Sequence, residues 1–185
     1  MSEDLWRGEL VRLAAIEPED AEAILPWHQD ATFLRGYGAE PALPKGIEDV
    51  RELLAGLGRN DRLFAVRRLE DDALVGVVGL DGINWVHGVA GASVGIGPAY
   101  QGRGYGREAL ALLLRLAYDE LSLFRLTVTV FAYNRRAIAL YEGLGFQHEG
   151  AMRAFVRRDG RRHDLLIMGL LEPEWRRGAA AQPPA

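Results

Sequence analysis

The chain has 185 residues, 49% of them hydrophobic, with 22 Lys and Arg against 26 Asp and Glu and a net charge of −4. That length suits one medium domain able to bury roughly 70% of its unfolded surface. The acidic balance argues against a nucleic-acid partner, and no run of 18 apolar residues is present to span a membrane. Zero cysteines exclude a disulfide framework, a thiolate metal site and a cysteine nucleophile.

The start, Met1-Ser2-Glu3-Asp4, is acidic and lacks the basic and apolar regions of a signal peptide, so a cytoplasmic protein is expected. Lys45 is the only lysine, a bias that points to a GC-rich, bacterial genome. Glu9 to Ala14 alternates and predicts a first strand. Glu17-Pro18-Glu19-Asp20 opens a helix that carries Ala21, Ala23, Ile24 and Trp27, and Pro26 should kink or end it. Residues 35 to 46 read as a loop that could rim a substrate site. Ile47 to Leu57 fits an amphipathic helix with Ile47, Val50, Leu54 and Leu57 on one face.

Leu63–Leu69 and Leu74–Leu80 predict a hairpin turned at Glu70-Asp71-Asp72, and Trp85-Val86-His87-Gly88 predicts a further turn. The next strand, ending Val94-Gly95-Ile96, stops at Gly97-Pro98. Gly102, Gly104 and Gly106 then lead into a helix with Leu110, Leu113, Leu114, Ala117 and Leu121 on one face. Leu126–Phe131 is a β-branched strand. Strand, helix, strand over residues 90 to 131 predicts a βαβ unit with parallel strands, whose ligands bind beyond the strands' carboxyl ends.

Asn134 is a good N-cap and Gly145 a good C-terminal stop for a short helix, on which Asn134 and Tyr141 share a face. A last hairpin runs from Ala151 to Leu171 about Asp159-Gly160. One domain is expected over residues 1–175, with a mobile tail over 176–185.

Glycines let a backbone approach an anion closely, and a helix start gathers unpaired N–H groups. Arg103 and Arg107 add positive charge. The spacing is neither G-x-G-x-x-G nor a P-loop. On the glycines alone, an anion cradle and a plain strand-to-helix turn are equally good readings.

Three segments together break that tie: Gln101-Gly102-Arg103-Gly104-Tyr105-Gly106, Asn134-Arg135-Arg136-Ala137, and Leu140-Tyr141-Glu142-Gly143-Leu144-Gly145-Phe146. In this order, flanking a βαβ crossover, they resemble the GCN5-related N-acetyltransferases (GNAT). Asn84-Trp85, Glu149 to Arg153, Arg158 to Asp164, Met168 to Leu171 and Glu174-Trp175 are similar to the branch that acetylates ribosomal-protein N-termini. The likeness runs from about Leu10 to Trp175.

The resemblance implies an α/β (α+β) fold: a mixed sheet of about six to seven strands, flanked by helices, with a central acetyl-CoA-binding βαβ unit. It implies acetyl-CoA as co-substrate and a primary amine as acceptor, and a homodimer would be compatible with it; His28, His148 and His163 show no metal-ligand spacing, so no metal is expected. Carried over by residue, Gln101, Gly102, Arg103, Gly104, Tyr105 and Gly106 would hold the CoA pyrophosphate. Val94, Gly95 and Ile96 would pair with pantetheine where two parallel strands splay near Ile96 and Val130, and Asn134, Arg136 and Ala137 would complete the CoA site. The Ile96 N–H would support the oxyanion. Tyr141 would protonate the departing thiolate, a role suited to a phenol of pKa about 10.

The base stays open. Some relatives use a carboxylate on the strand before the glycine turn, and here that strand reads Ala90-Gly91-Ala92-Ser93-Val94. Asp81, His87, Glu40 or water are the candidates. Trp27, Phe33 and Tyr37 could line an acceptor pocket, although the first two fit a core better. The arginines near the last hairpin fit a solvated face. A non-catalytic acyl-CoA sensor, and a transferase for a larger acyl group such as succinyl, are the alternatives.

Overall fold

Turn chemistry divides the chain where local signals are strongest. The computed structural model describes residues 4–181, with side chains through 178, so Met1-Ser2-Glu3 and residues 182–185 lie outside it. Seven strands form one mixed sheet in the order β1-β2-β3-β4-β5-β7-β6, flanked by helices. Two compact units divide the chain: residues 1–82 with 93–116, and residues 83–92 with 117–185.

In the first unit, β1 (Val11–Ala15) pairs antiparallel with β2 (Arg62–Arg68), and β2 with β3 (Leu74–Asn84). β3 runs past the predicted Leu80, and Gly82 within it has φ +58°. Helix α1 spans Asp20–Ile24, short of the proline, so Trp27 sits in a following 3-10 turn (Trp27–Gln29) instead of on the expected helix. A missing backbone donor at Pro26 explains the break. Asp20 ties α1 to the sheet: one carboxylate oxygen receives Arg67 Nη2 at 2.6 Å, the other the Glu17 N–H at 3.0 Å.

Part of the expected 35–46 loop is helical. Helix α2 covers Ala31–Tyr37, capped by Asp30, whose Oδ1 accepts the Phe33 N–H at 2.7 Å. Helix α3 (Ile47–Ala55) follows as predicted. Ala21, Ile24, Trp27, Phe33 and Val50 pack with Ala65, Leu74 and Val77 of the strands into one core. Trp27 and Phe33 are thus core residues. α4 (Tyr105–Arg115) buries Leu110, Leu113 and Leu114 and continues as a π-helical turn, Leu116–Glu120.

β4 (Val89–Ile96) passes through both units. In the second, its first residues pair in parallel with β5 (Arg125–Phe131), from Val89–Arg125 to Gly91–Thr127, as the βαβ reading requires. α5 (Arg135–Gly143) ends before Gly145, which has φ +95° and serves as the predicted stop. β6 (Gln147–Arg158) and β7 (Arg161–Leu171) form the last hairpin. Asp159 and Gly160 both have positive φ, the geometry of a type I′ turn.

β6 is the sheet's edge, and its register shifts between Met152 and Val156. There Ala154 has φ +54°; Asp164 Oδ1 accepts its N–H at 2.8 Å, and Arg162 Nη1 donates to its carbonyl at 3.2 Å. α6 (Glu172–Ala181) runs past residue 175, where the tail was expected to begin. Among the described residues no helix is long and apolar enough to cross a membrane.

Candidate functional site

β4 and the glycine turn belong to the first unit. Gly76 on β3 lets β4 approach: a Cβ there would lie 2.5 Å from Ile96 Cδ1 and 2.6 Å from the Gly95 carbonyl. The Gly97 N–H donates to the Val75 carbonyl at 3.0 Å, holding the strand's end. Gln101 folds back, its Nε2 donating to the Ile96 carbonyl at 3.0 Å. Val94 and Ile96 are half-buried and Gly95 is buried.

Gly102 and Gly104 have φ +82° and +87°, values that side chains adopt rarely. A Cβ at Gly102 would meet nothing within 4 Å, so this turn faces open space. α4 starts from Gly104 with no side-chain cap, and Gly102, Arg103, Gly104 and Arg107 are exposed. Such a start concentrates N–H groups and the positive end of the helix dipole, which suits a phosphate. Tyr105 is instead buried, 8% exposed.

Glu108, in the first turn of α4, is a structural residue that sequence reasoning missed. Its Oε1 accepts the Glu9 N–H at 2.8 Å, and its Oε2 accepts those of Leu10 at 2.8 Å and Val11 at 2.7 Å. One carboxylate therefore fastens the chain leading into β1 to the helix that follows the glycine turn.

A second group lies on the same strand. Gly95 lies under Tyr37, whose Cε2 would be 2.7 Å from a Cβ at that position, and Phe33 Cζ would be 3.4 Å away. The two rings stack at 5.2 Å. Ser93, two residues before Gly95 on β4, is half-buried. Tyr37 exposes 38% of its surface. Loss of water around its phenol, and then the charge of Asp81, push its pKa up. Asp81 is exposed as a residue, but shielding of its carboxyl, and then Asp61, push its pKa up, with Ser93 acting against them. Next to this group, Gly97 meets the Trp27 ring, and His28 is buried against Phe33 with ring centroids 5.8 Å apart. Among the described residues His28 Nδ1 has no hydrogen-bond partner, and burial, then Lys45, push its pKa down.

The second unit carries Asn134 and Tyr141. Asn134 caps α5: its Oδ1 accepts the Ala137 N–H at 3.1 Å, as the cap signal predicts. Tyr141, seven residues on, is 6% exposed and packs edge-on against Phe146 at 5.7 Å. Arg136 is exposed and Ala137 half-buried. His87 is exposed on the 85–88 turn, whose N–H groups at Val86 and His87 donate to Asn84 Oδ1 at 3.1 Å. Glu40 is exposed in the first unit.

Residues 11–147 match the family described as acetyltransferase (GNAT) domain. Over 95% of this chain and 97% of the relative, the sequence is 26% identical to YokL, a prophage-derived uncharacterized N-acetyltransferase of Bacillus subtilis. It is 30% identical to the spermidine N(1)-acetyltransferase of Escherichia coli, over 77% of this chain and 75% of that one. Among solved structures, the spermidine N-acetyltransferase of Vibrio cholerae in complex with CoA and spermine superposes with a TM-score of 0.81 and 26% identity. That match covers 89% of this chain and 97% of the other.

Proposed function

Because the chain belongs to the GNAT acetyltransferase family, we propose that it transfers the acetyl group of acetyl-CoA directly to a primary amine. The observation that carries this reading is the glycine turn, with positive φ at Gly102 and Gly104 and an uncapped α4 start opening onto solvent. The sensor and larger-acyl alternatives find no support in relatives named for N-acetyl transfer.

Each residue then has a role. The amides of Gly102 to Gly106, with Gln101 and Arg103 beside them, hold the CoA pyrophosphate. Pantetheine runs along Val94 to Ile96, a stretch that follows the three register pairs shared by β4 and β5. The Ile96 N–H supports the oxyanion of the tetrahedral intermediate. Asn134, Arg136 and Ala137 bind CoA from the start of α5. Tyr141 protonates the departing thiolate.

The acceptor is an amine of the kind the relatives' names suggest, a polyamine, or else a peptide N-terminus. Thiol release from acetyl-CoA, measured against spermidine and against a peptide with an N-terminal alanine, tests both. Acetyl-CoA raises the melting temperature and NAD does not; no shift with acetyl-CoA refutes the function. Tyr141→Phe keeps acetyl-CoA affinity while turnover falls about 10²-fold or more, the scale of general-acid catalysis. Unchanged turnover removes Tyr141 from the mechanism.

A further inference from the structure

We propose that the arginine-rich end of the last hairpin recognises the acceptor, and that the acceptor it selects is a peptide whose N-terminal amine is followed by acidic residues. This rests on the N-acetyltransferase reading and chooses between its two acceptors, against the polyamine.

Five of the ten residues from Arg153 to Arg162 are arginine, with one aspartate among them, in a chain whose net charge is −4. The strand register fixes where this stretch lies within the second unit. Phe131, the last residue of β5, pairs with Leu165, and Leu165 with Met152. The Ala132 N–H then donates to the Asp164 carbonyl at 3.0 Å. Residues 153–163 therefore run on past the carboxyl end of β5, the end beyond which ligands of such units bind. There His163 meets Tyr133 edge-on, with ring centroids 5.1 Å apart. Asn134 and α5 follow directly, so the hairpin adjoins the start of the helix that carries Tyr141.

The positive charge there is available. Arg153, Arg157 and Arg161 are exposed, as is Arg135 in the first turn of α5, and none of the four is in an ion pair among the described residues. Carboxylates of the same unit are engaged: Asp164 accepts the Ala154 N–H, Glu142 lies against His148, and Glu149 pairs with Arg125. Spermidine, a polycation, is repelled by such a surface, and aspartate or glutamate side chains are attracted to it. Met152 and Phe155 on the same strand expose 39% and 44% of their surface. Arginine, methionine and aromatic residues together are the composition of a protein-binding surface, which favours a peptide over a small anion.

The hairpin acts by recognition and takes no part in the transfer itself. A surface guanidinium–carboxylate pair changes affinity by up to about fivefold, so two pairs of middling strength give about tenfold. Because the pairs are exposed, added salt weakens them.

The test follows thiol release from acetyl-CoA with three acceptors: a peptide beginning Ala-Glu-Asp, one of equal length beginning Ala-Lys-Lys, and spermidine. At low salt, wild type is expected to favour the acidic peptide over the basic one by about tenfold in kcat/KM, chiefly through KM. The preference should shrink several-fold as salt rises from about 0.05 M to 0.5 M. Arg157→Glu combined with Arg161→Glu should abolish it, while the KM for acetyl-CoA and the melting temperature stay near wild type. Each single substitution should remove about half of it on a logarithmic scale, which keeps the test open if the double variant fails to fold. Arg59→Glu, at an exposed arginine of the first unit, should leave the preference intact, so that a change of net charge alone is told apart from the hairpin. Equal or lower kcat/KM for the acidic peptide overturns the proposal, as does a preference that survives the hairpin substitutions. A wild type active with spermidine alone overturns it and leaves the transferase reading standing. A wild type that releases no thiol with any of the three removes both.

Discussion

Replacing Glu108 with alanine should cost the protein several degrees of thermal stability, although the side chain is itself half-exposed. Its carboxylate accepts three backbone N–H groups at 2.7–2.8 Å, from Glu9, Leu10 and Val11. A hydrogen bond to a charged group contributes about 1.5–3 kcal/mol. The bonds from Glu9 and Leu10 are exposed, and those two donors return to water in the variant, so each counts for less than that range. Val11 is fully buried and leads into β1, so its N–H counts in full. Negative charge in the first turn of α4 adds about 0.3–1 kcal/mol through the helix dipole. The sum is about 3 kcal/mol. For a chain of this size each kcal/mol lowers the melting temperature by about 2–4 °C, so Glu108→Ala should melt about 6–12 °C below wild type by calorimetry. Glu108→Gln separates charge from shape. Its amide oxygen can still serve Leu10 and Val11, while its NH2 must face the Glu9 N–H, so about half the loss is expected. Hydrogen exchange should quicken first at residues 9–11. A Glu108→Ala melt within 2 °C of wild type would refute the reasoning.

Two further predictions concern the packing beside β4. Gly97→Ala would set a Cβ 2.5 Å from Trp27 Cε2 and Nε1, in a ring that is 5% exposed and unable to swing into solvent. The backbone there (φ −53°) accepts alanine, so the cost of about 1–3 kcal/mol is steric. Trp27→Phe in the same chain should recover part of the melting temperature, and a single variant that melts like wild type would contradict the packing. His28, with its pKa pushed down by burial and then by Lys45, binds fewer protons folded than unfolded. Its share of stability is therefore full above about pH 6.5 and is lost as pH falls below it, by at most about 1.4 kcal/mol per pH unit. His28→Gln should lose less melting temperature than wild type between about pH 7.5 and 5.5; equal losses would refute this.

What was legible in the sequence was what depends on neighbours in the chain. Asp159-Gly160 announced its turn, and Asn134 and Gly145 announced the two ends of α5, because each acts on backbone a few residues away. Gly36 and Gly38 made residues 35–46 read as loop, although Arg35 to Tyr37 are the last turn of α2. Gly82 hid the far end of β3 by looking like a terminator, when its positive φ is taken up within the strand. The residue that escaped notice acts far along the chain. Glu108 serves amides 97 to 99 positions away. The glycine turn and the Asn134–Tyr141 spacing were readable as motifs, and their assignment to CoA and to the thiolate awaits the experiments above.

Ala154 has a consequence for how the protein behaves in company. A twelve-residue strand at the border of a sheet, with almost every residue exposed, is a template on which another extended chain can build. β6 has neither proline nor lysine to discourage this. Its left-handed residue at the middle breaks the strand into two short halves, and the side chains of Asp164 and Arg162 occupy the N–H and carbonyl that would otherwise be offered at the kink. An incoming strand would find its register interrupted there. The irregularity of β6 thus works as a safeguard against edge-to-edge aggregation, and a straightened β6 would be a stickier one.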